Sequence, residues 1–320
     1  DVKTDWKTVD DAATVERARS NYDRTVKAFN AIIQFQNNFV KPYIEELSAQ
    51  MSYQMKSAEQ RRGTKDLGLT NVPFASKAYN YTKQLLLALK VDAIVDEVEQ
   101  EIKAGRHPVI ALESTMESVL DGYNAGDVLD NATFGASLIK GLENTLSYTV
   151  KDDKNREEKH KIPLELLPAS ARQAYEDVKR LILESTRDVY VSPIDDIISK
   201  LNARGYSVGE LTGRDKYVSM EDGKAVVRKR ADKDKKRMTM EFNAGKTDVL
   251  ILNKSASTGI SLHASSRFSD QRQRTMVMAQ PLSDINDYMQ MIGRIDRTGQ
   301  VHRGYYINLG LPVPAENRFM

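Results

Sequence analysis

Apolar residues recur at helical spacing through the first part of the chain: Val26, Phe29, Ile32, Ile33, Phe35, Phe39, Val40, Tyr43, Ile44 and Leu47. This stripe predicts a polar helical segment over about 1–62 whose Phe/Ile face is core packing, divided or kinked at Pro42. Turn residues cluster over 63–78 (Gly63, Gly68, Asn71, Pro73) and predict a break. A second helix is expected over 79–104, ending on Gly105 as its cap. The texture then changes. Residues 107–112 form a short continuous apolar run, the pattern of a strand buried on both faces. Further strands are expected at 189–191, 205–208, 248–252, 275–278 and 304–308, with helices at 194–203, 236–243 and 283–293 between them. Strand and helix alternating in this way predict a parallel α/β sheet with flanking helices over about 106–310. The expected organisation is a helical region, 1–100, followed by an α/β lobe, 101–320, with a helical insertion at about 121–187. Within that insertion, the polar stretch 151–161 is expected to be an exposed loop.

Composition narrows the function classes. Lys and Arg total 47 against 45 Asp and Glu, a net charge of +2, which excludes a histone-like or polyacidic protein but leaves room for a local basic groove. There is no Cys, so disulfides and thiolate metal sites are excluded. The four His (His107, His160, His263, His302) are scattered without metal-ligand spacing, and no metal site is expected. No apolar run approaches the ~20 residues of a membrane span. A cytoplasmic location is therefore expected, with a phage virion as the other origin. The start, Asp1 to Trp6, lacks Met and an apolar leader and reads as cut from a longer protein.

The densest chemical signal is Gln290, Gly293, Arg294 and Arg297, in the pattern Q-x-x-G-R-x-x-R, followed by Thr298-Gly299-Gln300. Phosphoryl transfer builds charge on phosphate oxygens, and a planar guanidinium can hold two of them. The spacing places Arg294 and Arg297 on one helical face, with Gln290 a turn earlier. A second signal, Ser255, Ser257, Thr258 and Gly259, directly follows the strand expected at 248–252. Small hydroxyls and a glycine at the carboxyl end of a parallel strand let backbone N–H groups approach a phosphate. A third, Thr212-Gly213-Arg214, offers a hydroxyl, a close backbone and a cation. Ser114-Thr115 follows the first strand and reads either as phosphate-binding or as a helix cap. The window 224–237 holds eight Lys/Arg against two Asp, and Arg267, Arg272 and Arg274 lie between two expected strands; both are candidate nucleic-acid contacts.

At these residues the sequence resembles the C-terminal RecA-like lobe of superfamily-2 helicases and translocases, and within them the strawberry-notch-like helicase C-terminal domain, including its phage and plasmid members. The resembling segments are 108–118, 192–195, 206–214, 242–262 and 288–300. The resemblance implies ATP-driven movement along nucleic acid. It makes Arg297 the arginine finger and Arg294 a γ-phosphate contact, with Gln290 and Gly293 in the same motif. It assigns the loop of Ser257, Thr258 and Gly259 to coupling nucleic acid to nucleotide, and it gives Ser114, Thr115, Thr212, Gly213, Arg214 and Ser255 to the nucleic-acid backbone. Many members carry Asp or Asn where Ser261 stands.

No Walker A is present: Ala244-Gly245-Lys246-Thr247 would need Gly at position 240, which is Met240, and a strand follows where a P-loop feeds a helix. No acidic metal box follows a strand either. ATP and Mg²⁺ are therefore expected to be held mainly by a first RecA-like lobe, of the same or another chain, and this chain alone is expected to be inactive. DNA is favoured over RNA as the partner. The rival expectation is a non-catalytic nucleic-acid-binding or scaffold module, virion-associated in one version.

Overall fold

A computed structural model describes residues 3–59, 69–151, 156–231, 234–254, 259–282 and 284–316. In chain order, β1 (Lys3–Thr8) is followed by α1 (Ala12–Phe35), a π-helical turn (Gln36–Val40), α2 (Lys41–Glu59), β2 (Leu69–Thr70), α3 (Phe74–Leu89), α4 (Val91–Lys103) and β3 (His107–Leu112). Next come α5 (Gly135–Thr145), β4 (Ser147–Lys151), β5 (Glu157–Lys161), α6 (Ala169–Thr186), α7 (Pro193–Ala203) and β6 (Val208–Leu211). The chain continues through β7 (Lys216–Glu221), β8 (Lys224–Lys229), α8 (Lys235–Asn243), β9 (Val249–Asn253), β10 (Arg274–Met278), α9 (Ile285–Ile292) and β11 (Tyr305–Gly310).

Two compact units divide these elements. The first comprises residues 1–22, 82–132 and 189–320, and is built on a six-stranded, wholly parallel sheet in the order β1-β11-β10-β3-β9-β6. This is the expected fold class, and its logic is a period of two. Ile110, Leu112, Val249, Ile251 and Val277 face α4 and α7, meeting Ile94, Val98, Ile194 and Ile197. Their neighbours Val109, Ala111, Leu250, Leu252 and Met276 face the other way, onto Phe242 of α8, Met291 of α9, Ile260 and Leu262. Strands covered on both faces need apolar residues at every position, hence the continuous runs. Each fully buried Val, Ile or Leu contributes about 1.5–3 kcal/mol. β1 was not expected. It reads Lys-Thr-Asp-Trp-Lys-Thr with Trp6 60% exposed, because an edge strand of such a sheet needs little apolar surface.

The second unit, residues 23–81 and 133–188, holds helical segments and a three-stranded antiparallel sheet, β2-β4-β5. Pro42 acts as expected, and the device is visible. It has no N–H to give the helix ladder, and just before it the chain slips into a π turn in which the Lys41 N–H reaches Gln36 O. Gly141 is required by contact: a Cβ there would stand 2.8 Å from the Phe74 ring.

β1 and α4 pack into the first unit, so the contacts group differently from the expected regions 1–100 and 101–320. Individual elements are corrected. Residues 157–161 form β5 instead of a loop, paired with β4. The strand expected at 189–191 reduces to an isolated bridge position at Tyr190, and the one at 205–208 lies later, as β6. Among the described residues no helix is long and apolar enough to cross a membrane.

Candidate functional site

In a parallel sheet all strands end on one rim. β3 ends at Leu112 and leads into Ser114-Thr115; β6 ends at Leu211 and leads into Thr212-Gly213-Arg214; β9 ends at Asn253 and leads through 255–258 to Gly259. Because β3, β9 and β6 are adjacent, these three candidate loops emerge side by side. Ser255, Ser257 and Thr258 themselves lie outside the described residues. Two further side chains, Gln280 and Glu117, shape the rim. Gln280, 1% exposed, accepts from the backbone N–H groups of Glu113 (3.0 Å) and Ser114 (3.1 Å) through Oε1. Glu117 accepts from Asp215 N at 2.5 Å and Lys216 N at 3.0 Å, tying the loop after β3 to the loop after β6. The Ser114 hydroxyl caps Met116 N at 3.3 Å, within a turn where Met116 takes φ 58°.

Arg214 is corrected. Its guanidinium is 2% exposed and committed to two carboxylates: Nε to Glu210 Oε1 at 2.7 Å, Nη2 to Glu210 Oε2 at 2.8 Å and to Asp195 Oδ1 at 2.5 Å, and Nη1 to Asp195 Oδ2 at 3.0 Å. Burial alone would lower its pKa, but Glu210 and Asp195 outweigh it and hold the group above its ordinary value. It braces the loop and, with Thr212 buried at 4% exposure, leaves Gly213 as the exposed group able to approach a phosphate. The Thr212 hydroxyl itself donates to Glu210. The basic run is committed only in part. Residues 224–229 are strand β8 of a hairpin, Arg228 is bound by Glu221, and Arg230 is turned inward onto Glu210 Oε1 (3.2 Å) and Glu210 O (2.9 Å), while Lys224, Lys229, Lys235 and Lys236 are exposed.

The arginine motif is arranged differently from the expected single helical face. α9 stops at Ile292, with Gly293 as its cap, so only Gln290 stands on the helix, exposed; Arg294 and Arg297 sit in the turns beyond. Arg297 is exposed, with Nε donating to Gly293 O at 3.0 Å and its backbone N–H to Gln300 Oε1 at 2.8 Å. It makes no ion pair with the described residues. Arg294 is 8% exposed, likewise without an ion pair among them. Its Nη1 donates to Ile260 O at 3.2 Å, and its buried Nε has no acceptor. Burial, and then the charge of Arg297, push its pKa down.

This turn is not at the carboxyl rim but a helix length back from it, about 12 Å at 1.5 Å per residue. What reaches it is the segment after β9. Gly259, at φ +79°, turns the chain, Ile260 and Leu262 pack on the sheet face, Leu262 N donates to Arg294 O at 2.8 Å, and Val301 N donates to Ala264 O at 2.7 Å. Ser261 bonds His263 Nδ1 at 2.7 Å. Back at the rim, Lys254 pairs with Asp287 of α9. The tempting Gly245-Lys246-Thr247 follows α8 and enters β9, so it is a helix-to-strand turn as expected; Gly245 has φ +73°. On α9, Met291 is buried while Met289 is 56% exposed.

Comparison with known proteins bears on this arrangement directly. Residues 192–320 match the C-terminal domain on Strawberry notch homologue. The matched segment runs from the N-terminus of α7 through the rim loops after β6 and β9 to the arginine turn. Protein strawberry notch of Drosophila melanogaster is 31% identical over 133 residues, covering 39% of this chain and 8% of that protein. Strawberry notch homolog 2 of Mus musculus is 30% identical over 140 residues, 42% of this chain and 10% of that protein. The chain thus spans about a tenth of the length of these strawberry notch relatives. Among solved structures, the C-terminal part of the Fun30 ATPase domain aligns with 99% of this chain and 87% of its own at a TM-score of 0.37 and 13% identity. The Pyrococcus furiosus Hef helicase domain aligns with 100% and 57% at 0.35 and 13%. Overlap at this level leaves the fold to be read from the sheet itself.

Proposed function

We propose that this chain is the second motor lobe of an ATP-dependent nucleic-acid translocase or helicase, acting on DNA in preference to RNA. The observation that carries the reading is the segment after β9, which begins among the rim loops and ends hydrogen-bonded to the arginine turn. One stretch of backbone therefore touches both the surface suited to a phosphate backbone and the exposed guanidinium suited to a triphosphate.

The residues fit the outer side of ATP and not its metal. Arg297 offers a free fork and the Arg294 Nε a buried, unanswered donor, while no group of three or more His, Asp or Glu able to hold a cation lies among the described residues. Mg²⁺ and the phosphate cradle then belong to a first lobe, of the same or another chain, and this lobe alone is inactive. ATP supplies a γ-phosphoryl group whose transfer to water builds charge on its oxygens. Arg297 stabilises that charge from across the cleft, and Arg294 holds the turn and a γ-oxygen. The rim, through the backbone at Gly213, Ser114 and Thr115, grips the strand, and Ser255 is given the same role.

The test uses the intact protein. Arg297→Ala is expected to lower nucleic-acid-stimulated ATPase about 10³-fold or more while nucleotide binding persists. An intact two-lobe protein without such ATPase would leave the non-catalytic binding or scaffold module as the better account.

A further inference from the structure

Arg274 opens β10 and is fully buried, the largest such side chain among the described residues. A guanidinium in a protein interior is held only where its donors are answered. Here Nε donates to Leu262 O at 3.0 Å, Nη2 to Asp270 O at 3.0 Å, and Nη1 to Arg272 O at 3.2 Å and His107 Nδ1 at 2.9 Å. The Asp270 carboxylate lies 3.3 Å from Nη1. The Phe242 ring lies beneath the guanidinium at 5.2 Å and stacks on His107 at 3.8 Å. His107 Nε2 donates to Thr247 O at 2.7 Å, and its Nδ1 lies 2.9 Å from both Arg274 Nη1 and Asp270 Oδ2. The cluster draws together the starts of β3, β9 and β10 and the end of α8.

Only one of these contacts leaves the cluster for the candidate site, and it is Nε to Leu262 O. The same residue's N–H is the one that holds Arg294 O at 2.8 Å. We infer that Arg274 is a positioning residue: through Leu262 it sets the place of the Arg294–Arg297 turn, and so the aim of Arg297. The inference rests on the motor-lobe reading for its catalytic consequence, but the hold on Leu262 is separately measurable.

In the intact protein, Arg274→Lys and the milder Arg274→Gln are compared with Asp270→Asn, which alters the same cluster without touching the Leu262 carbonyl, and with Arg297→Ala. Assays use whichever Arg274 variant keeps its near-ultraviolet dichroism. The expected result is a kcat for ATP hydrolysis lowered at least tenfold with KM for ATP changed less than threefold. Amide exchange at Leu262 should rise at least tenfold while Ile110 and Ile251 stay protected. Asp270→Asn should keep kcat within about twofold even where its Tm falls as far. Equal loss of kcat in the Arg274 variants and in Asp270→Asn, or Leu262 exchange rising only in step with Ile110 and Ile251, would reduce Arg274 to a structural brace and overturn the inference. Full ATPase in Arg297→Ala would instead remove the motor reading, and the Leu262 exchange would still decide whether Arg274 holds that carbonyl.

Discussion

At the scale of single residues, the arginines separate by what surrounds them. Sequence spacing treats Arg214, Arg274, Arg294 and Arg297 alike, as cations near loops. Their fates were decided by carboxylates and carbonyls: Glu210 and Asp195 for Arg214, Asp270 and Leu262 for Arg274. Glu210 and Asp270 stand four residues before their arginines, within reach of a local reading, whereas Asp195 and Leu262, 19 and 12 residues away, have no signature in a local window, so which guanidinium is held was only partly legible. Removing Arg214 tests the distinction. Arg214→Met leaves Asp195 without its cation and Glu210 with Arg230 alone, and should cost about 3–5 kcal/mol in urea unfolding. His107 adds a pH dependence. Burial, and then the charge of Arg274, lower its pKa from 6.5 to about 4; Arg272 acts the same way, while the Thr247 carbonyl and Asp270 oppose. The unfolded chain therefore binds the extra proton first. Stability should fall as pH drops from about 6.5 to about 4, by up to about 3 kcal/mol, and this part should be gone below 4. Asp270, whose pKa lies below the ordinary carboxylate range because Arg272 and its backbone outweigh burial, adds a loss of the same sign at still lower pH. Unfolding free energies measured across this interval should show a slope in wild type that His107→Gln lacks.

At the scale of elements, legibility followed burial. The strands covered on both faces, β3, β9, β10 and β11, announced themselves as apolar runs, and the helices between them as amphipathic stripes. β1, β5, β7 and β8 did not, since edge and hairpin strands alternate charge with partial burial and look like loops. The rim loops were legible for a different reason: Ser, Thr and Gly directly after an apolar run have one place to go in a parallel sheet. The hairpin yields a prediction opposite to the one its charge suggests. Because Arg228 is bound by Glu221 and Arg230 by Glu210, the double change Arg228→Ala and Arg230→Ala should lower stability yet leave the slope of log K against log salt for nucleic-acid binding unchanged. A slope reduced by one or more would return the hairpin to the interface. In the second unit, Gly141→Ala forces a methyl to 2.8 Å from the Phe74 ring and should cost about 1–3 kcal/mol, read as a lowered Tm.

At the scale of the whole molecule, charge balance said little and topology says more. Lys90 and Glu316 are both fully buried and bonded at 2.6 Å across 226 positions, with Lys90 also donating to Leu309 O at 3.1 Å. Glu316→Ala strands the ammonium and should cost about 3–5 kcal/mol in thermal unfolding.

The order of the sheet also governs how the protein can be dissected. Position 192, where the recognisable segment opens, leaves out β3, which lies between β10 and β9, and β1, which borders β11. A fragment cut to 192–320 would have a missing plank at its centre: two apolar strands with open ladders on the sides where they should meet β3. Such a piece should collect in inclusion bodies, whereas one restoring residues 3–8 and 82–132 to it should stay dispersed.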